Sequence, residues 1–472
     1  MKRGQWIAVL AVVSLVAAAC SDRGADPSAS GGDAGGGGGG ATATSVTPSG
    51  VETFGDLESP CDDTPAEVPE GVGQTDATGG PGEEQGITDD SIAVGTIADP
   101  GFSARPGLNQ EILDAGEAFV QWCNDQGGIN GRELDLTQYD AKYTEYQQRL
   151  GEACEQDFAI VGDGAVQDNL WLDVGAACGL VDIAGFSVTP EKSGVAGHSE
   201  IERLRVVQPL PNTSDRFAVG AMRLVSEDNP GAIDHIGMVS GNFATLEVQA
   251  AKTEEAYDAI GGTVVSRQTY NVAGEANWAP IAAGLEGDGV EWLNFVGEGA
   301  NLALLQQAMS ELDYSPEVTF QETNFYDPAY LEAAGDAAEG TYIRSVFVPF
   351  EEADQNPATQ DYVDMVDAVG GKVALLGAQS VSAWLLFAQS AKACDDQGDL
   401  TRTCLLDTAG SVTDWTGGGL HAPTDPSRNT ASACTLVLRV QDGAFTRYAP
   451  DDGFVCDDAD LIELHGDYAA GG

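Results

Sequence analysis

The residues that could do chemistry in this chain are few, and most of the patterns they form are incomplete. The histidines His198, His235, His421 and His465 share no i, i+4 spacing, so no zinc motif of the H-E-x-x-H kind is present. No Gly-x-Ser-x-Gly elbow occurs, and the nearest run, Gly185-Phe186-Ser187, lacks its second glycine. Carboxylate pairs are abundant only because acids are, with 75 Asp and Glu against 21 Lys and Arg, so they mark no glycosidase pair. Asp395-Asp396 and Asp457-Asp458 read as solvated loop charges or as weak cation holders. Gly162-x-Gly164 follows an expected strand, but Gln167 stands where a dinucleotide fingerprint needs its third glycine. The better use of that turn is a helix N-terminus whose free amides suit a ligand carboxylate, although Asp163 and Asp168 oppose an anion there. No catalytic residue, metal or cofactor is implied, and the chain reads as a binder and not as an enzyme.

Binding residues are easier to place. Loops that follow expected strands carry Phe102 and Arg105, then Gly164, then Phe186 and Ser187, then Asn242 and Phe243. Further on come Glu298 and Asn301, and then Glu322, Asn324, Phe325 and Tyr326. In parallel α/β sheets, loops at the C-terminal strand ends gather around one crevice, and ligands sit there.

The elements that must position these loops alternate strictly. Residues 91–97 are rich in Ile, Val and Thr and read as a strand, broken by Asp99-Pro100-Gly101. Ile112, Ala115, Phe119 and Trp122 share one helical face, and Gly127-Gly128 ends that helix before a strand at 133–139. Helices at 145–157 and 169–177 then alternate with strands at 158–161, 181–184 and 204–207. A second series follows the proline-rich run 208–212. Its helices are 217–227, 246–260, 278–285 and 302–312, and its strands 235–239, 263–269, 291–296 and 317–320. Residues 340–349 read as a strand returning to the first lobe, covered by helices at 361–369 and 376–393. A terminal hairpin, 434–440 with 444–449, turns at Asp442-Gly443. Strand–helix alternation of this kind gives parallel, doubly wound sheets.

The opening unit also resembles a known family. The run N-D-Q-G-G-I-N-G-R-E-L, Asn124 to Leu134, is similar to the first βαβ unit of type I periplasmic binding proteins, which include the leucine/isoleucine/valine-binding proteins of ABC transporters. The likeness extends, more weakly, over about 88–448. It implies an α/β protein of two Rossmann-like lobes with parallel sheets, joined by a three-crossing hinge near 208–212, 344–349 and 417–429. It implies a first lobe of 87–207 plus 350–417 and a second of 208–349 plus 430–460. It also implies capture of a small-molecule ligand between the lobes and delivery to ABC transporter permease subunits. A sensor module of the same fold is the alternative, and a secreted α/β hydrolase a weaker one. Amino-acid binders of the family hold the α-carboxylate with Ser or Thr hydroxyls, where this chain has Val166 and Val188, with Ser187 adjacent. A tyrosine of the family falls near Thr245, and its ammonium-binding acid near Glu322 or Thr323.

Composition narrows the setting. A chain of 472 residues with net charge −54 repels phosphates, so no nucleic-acid role is expected. The acidity fits either a saline medium or simply a solvated surface. Lys2 and Arg3, an apolar run 6–16 and Ala17-Ala18-Ala19-Cys20 resemble a lipoprotein leader, 1–19, with lipid attachment at Cys20 and anchoring to the outer face of the cell membrane. Residues 20–86, with six consecutive glycines at 35–40, read as a flexible tether. Eight further cysteines suit an exported, oxidised protein. The expected pairs are Cys394–Cys404, Cys434–Cys456, Cys154–Cys178 (on helices sharing a face of a 2-1-3 sheet) and Cys61–Cys123. Finally, Glu298 and Glu322 in a closing cleft would need a cation, which an ammonium on an amino acid, derivative or amide would supply.

Overall fold

A computed structural model describes residues 53–66 and 82–468. The leader, Cys20 and the glycine run lie outside the described residues. Two sheets carry the fold. The first has the order Glu133–Asp140, Ser91–Ala98, Ala159–Val161, Val181–Ile183, Val206–Val207, all parallel. The second runs Val264–Tyr270, Ile236–Gly241, Trp292–Val296, Val318–Gln321, Tyr342–Ser345 in parallel. It ends in the antiparallel pair Cys434–Gln441 and Ala444–Ala449. That hairpin turns on Asp442 and Gly443, both at positive φ, as its Asp-Gly pair requires.

Helices cover the first sheet because their apolar residues face it. Ile112, Ala115 and Phe119 of Gln110–Asp125 are buried, and Phe119 stacks on Trp384 at 5.6 Å. The helix Leu375–Asp396 is buried along most of its length against the same sheet. Three chain crossings join the sheets, and they bond to one another: Thr424 Oγ1 to the Pro209 carbonyl (2.6 Å), Val348 N to Leu420 O (2.9 Å) and Gln208 Nε2 to Asn429 Oδ1 (2.8 Å).

Three expectations need correction. Residues 340–349 do not form a strand of the first lobe. Tyr342–Ser345 pairs with Val318–Gln321 in the second sheet, and the chain crosses only after it. Residues 216–218 are a strand, not the start of a helix, because Leu461–Glu463 returns to pair with them; the helix begins at Gly220. Residues 169–177 form a 3-10 turn and a π turn, in which Gly175 packs so close to the Trp171 ring that a Cβ there would lie 2.4 Å from it. Cys61 in the tether, expected to pair with Cys123, pins part of it to the body. Residues 53–66 fold onto the body, with Phe54 buried, Gly55 N on Asp361 Oδ2 (2.7 Å) and Asp62 N on Gly128 O (2.8 Å).

The disulfides are Cys61–Cys123, Cys154–Cys178, Cys394–Cys404 and Cys434–Cys456, the pairs expected from sequence. Cys61–Cys123 closes the longest loop, 62 residues. Replacing both of its cysteines with Ala should lower the unfolding free energy by about 4 kcal/mol. Urea denaturation of the oxidised protein measures this, and an unchanged midpoint would show that the N-terminal clasp adds nothing.

Candidate functional site

The strands of both sheets end at one cleft, which holds a cavity of about 260 Å³. Loops of the first sheet contribute Phe102, Tyr143, Val166, Phe186 and Val188 to its wall. The second sheet side contributes Thr245, Phe295, Glu298, Glu322 and Asn324. The crossings contribute Leu210, Asn212, Val346 and Thr424, and the strand Tyr342–Ser345 contributes Arg344. Most of this surface is apolar.

Buried carboxylates set the loops of the first sheet. A strand end leaves loop amides with no ladder partner, and each must be satisfied. Asp99 accepts from Tyr143 N (2.6 Å) and Val166 N (2.7 Å). Asp168 accepts from Val188 N (2.6 Å) and Thr189 N (3.1 Å). Lys192, itself fully buried, lies 2.8 Å from Asp163 and 2.8 Å from Asp182 and ties the short helix Pro190–Ser193 to two strand ends. Burial pushes the Asp99 carboxyl up to about 6, against the pull of its two amide bonds.

The lobes meet across this cleft. Tyr143 stacks on Phe102 at 4.3 Å, and Phe243 of the second lobe tilts against it at 4.4 Å. Thr245 Oγ1 donates to the Val166 carbonyl (2.7 Å). Arg105 lies 3.9 Å from Glu298. At the rim, Lys372 bridges Glu111 of the first lobe (2.6 Å) and Asp327 of the second (2.9 Å).

Of the residues singled out from sequence, Phe102, Phe186, Glu298, Glu322 and Asn324 line the cavity. Others stand behind it. Arg105 pairs with Glu298, and Asn301 donates to Glu298 (2.6 Å). Ser187 is buried and its carbonyl accepts from Asn212 (2.8 Å), while Phe243 packs on Tyr143. Gly164 leaves space for Phe186, whose ring lies 2.2 Å from where a Cβ would sit. Asn242 is exposed, and Tyr326 is buried away from the cavity, stacked on Phe350 and donating to Glu351. The expected anion site at 162–168 is closed, because Val166 N is already held by Asp99 and Gly164 N by Ile97 O.

Both acids have a cationic neighbour in the fold, Glu322 with Arg344 at 3.3 Å and Glu298 with Arg105 at 3.9 Å. Sequence reasoning missed Arg344 because its strand, Tyr342–Ser345, was expected to return to the first lobe. It missed Tyr143 because the turn Lys142-Tyr143 takes positive φ at two residues that carry no turn signal.

Ser382 and His421 are hydrogen-bonded (2.8 Å), but both are buried and the other imidazole nitrogen meets the Ala422 carbonyl, not an acid. Burial holds the His421 imidazole down at about 4. Asp395 and Asp396 are engaged by Asn130 (3.1 and 3.0 Å), and Asp457 caps Ala459 N (2.9 Å). Among the described residues no cluster of three or more His, Cys, Asp or Glu is arranged to hold a metal, and no helix is long and apolar enough to cross a membrane.

Two α/β lobes, three crossings and a cavity between them define a binding-protein architecture. The chain belongs to the periplasmic binding protein family, whose model matches residues 94–444; the family implies a place outside the cytoplasm. Solved structures share the fold. A leucine-binding protein, LivK, from Thermotoga maritima aligns with a TM-score of 0.62 at 16% identity, over 76% of this chain and 98% of that one. A fatty acid ABC transporter substrate-binding protein from Thermomonospora curvata aligns at 0.61 and 17%, over 80% and 95%. An ABC transporter solute-binding protein from R. palustris in complex with 4-hydroxybenzoate aligns at 0.61 and 14%, over 79% and 98%. No curated protein matches in sequence.

Asp99 gives a pH signature. Its carboxyl is raised from 3.8 to about 6, so its contribution to stability is complete below about pH 4 and is lost as pH rises through about 6. Asp99→Asn does not titrate, and it turns an amide donor toward Tyr143 or Val166. Urea denaturation should find the variant less stable than wild type at pH 4, with the gap narrowing by up to about 3 kcal/mol towards pH 7. A gap independent of pH would show that Asp99 does not titrate in this window.

Proposed function

We propose that this protein is an exported solute-binding protein, held at the outer face of a bacterial membrane by a lipid on Cys20. It captures a small molecule between its lobes and hands it to the permease subunits of an ABC importer. The observation that carries this reading is the cavity, walled by both sheets and by all three crossings. A wall built from two bodies and their connection is complete only when the bodies are together, so filling the cavity favours closure. The moving units are 87–207 with 350–417 and 208–349 with 430–460, and the site residues are those lining the cavity together with Arg105 and Phe243 behind them. By their names, the solved relatives bind leucine, a fatty acid and 4-hydroxybenzoate. For this chain the same reading gives a small, partly apolar solute, with amino-acid derivatives and amides in range.

The test starts from protein purified from its native host. Unfolding it should release one small molecule in near-equal molar amount, identified by mass spectrometry. Refolded, solute-free protein should melt at a lower temperature and recover when that molecule is added, by about 4 kcal/mol at a thousandfold excess over Kd. Protein that carries no solute, and whose melting no small-molecule fraction of the host extract shifts, would contradict the function.

A further inference from the structure

The cavity is closed to charge. Four ionisable side chains of full charge line it, Arg216, Arg344, Glu298 and Glu322. Each has an opposite partner within 4 Å: Arg216 with Asp215 at 3.0 Å, Arg344 with Glu322 at 3.3 Å, and Glu298 with Arg105 at 3.9 Å. The two first-lobe amides that face the cavity where a carboxylate was expected are also taken. Val166 N is bonded to Asp99 and Val188 N to Asp168, and those two buried acids would repel a second anion. Where hydroxyls could have stood, Val166 and Val188 present methyl groups to the cavity.

From this we infer that the ligand is uncharged: a mainly apolar molecule of roughly ten heavy atoms with a carbonyl or hydroxyl at one end, neither a zwitterionic amino acid nor a free acid. The inference rests on the solute-binding reading and narrows it. Size follows from volume, since a cavity of about 150 Å³ holds benzene and this one is 260 Å³. Charge follows from desolvation. An ion entering a cleft whose charges are already paired loses its water and gains no counter-ion, which is costly. A neutral carbonyl asks only for a donor. Arg344 supplies one: its Nε faces Glu322 and its Nη1 donates to the Ala218 carbonyl (3.2 Å), which leaves guanidinium N–H groups over. Lys252 stands behind this wall. It is fully buried and its nearest acceptors are the Asn212 amide oxygens at 3.3 and 3.5 Å, so Asn212, and not the ammonium, meets the cavity.

Two matched series separate the possibilities: isocaproamide, isocaproate and leucine, and hydrocinnamamide, hydrocinnamate and phenylalanine. Within each, the apolar body is constant and only the charge changes. Calorimetry on solute-free protein should find the amide tightest, by about tenfold or more over the acid and the amino acid. Glu322→Gln keeps the shape but leaves Arg344 without its counter-ion. It should raise the affinity for the acids by about tenfold relative to the amides. Lys252→Met should leave amide binding unchanged. An acid or amino acid bound more tightly than its amide by the wild type overturns the inference while the solute-binding reading stands. So does a loss of affinity for leucine or phenylalanine in Glu322→Gln, because that acid would then be an ammonium site. If none of these compounds binds, the inference also falls. The solute-binding reading falls with it only if, in addition, no small-molecule fraction of the host extract shifts the melting temperature.

Discussion

A parallel strand that ends at a cleft leaves loop amides without partners, and the first lobe answers them with buried carboxylates. Asp99 holds Tyr143 and Val166 in place, Asp168 holds Val188 and Thr189, and Asp163 and Asp182 hold Lys192. Every loop that reaches the cavity from this sheet depends on one of these bonds or stacks on a loop that does. The cost is buried negative charge beside the ligand. The consequence is functional, since a wall supported from behind by acids, with its amides already used, has little to offer an anion.

The second lobe solves the same problem with paired charges. Glu298 and Glu322 sit at its strand ends, and each meets an arginine, Arg105 from the other lobe and Arg344 from the strand Tyr342–Ser345 of the same sheet. Burial raises the Glu298 carboxyl and Arg105 opposes that shift, so the contact between lobes is itself electrostatic. The Lys372 bridge to Glu111 and Asp327 at the rim adds a second such contact. The contact between the lobes therefore matches charges across the cleft as well as stacking Phe102, Tyr143 and Phe243, and the crossings are bonded to one another.

Much of this was legible in the sequence. Period and punctuation located the strands and helices of both sheets, and the strand ends pointed to Phe102, Phe186, Glu298, Glu322 and Asn324. What was illegible depended on partners distant in the chain. Nothing near residues 216–218 announces that Leu461–Glu463 will return to make them a strand. Nothing near Glu322 announces that Arg344 will lie 3.3 Å from it. Tyr143 was hidden for a local reason, because positive φ was adopted by residues with no preference for it and enforced by the Asp99 bond to its amide. The Cys154–Cys178 pair was read correctly because strand order in a 2-1-3 sheet is a local rule with a global result.

The central claim is that one cleft closes on a solute. The most direct test places one spin label on each lobe, at Glu117 and Glu247, both exposed helix positions, in protein lacking Cys20 so that its other cysteines remain in their bridges. Pulsed electron-electron resonance then reports the distance between lobes. The account predicts a longer, broader distribution in solute-free protein and a shorter, narrow one when the co-purifying solute is restored. The same distribution in both states, at saturating solute, would contradict it.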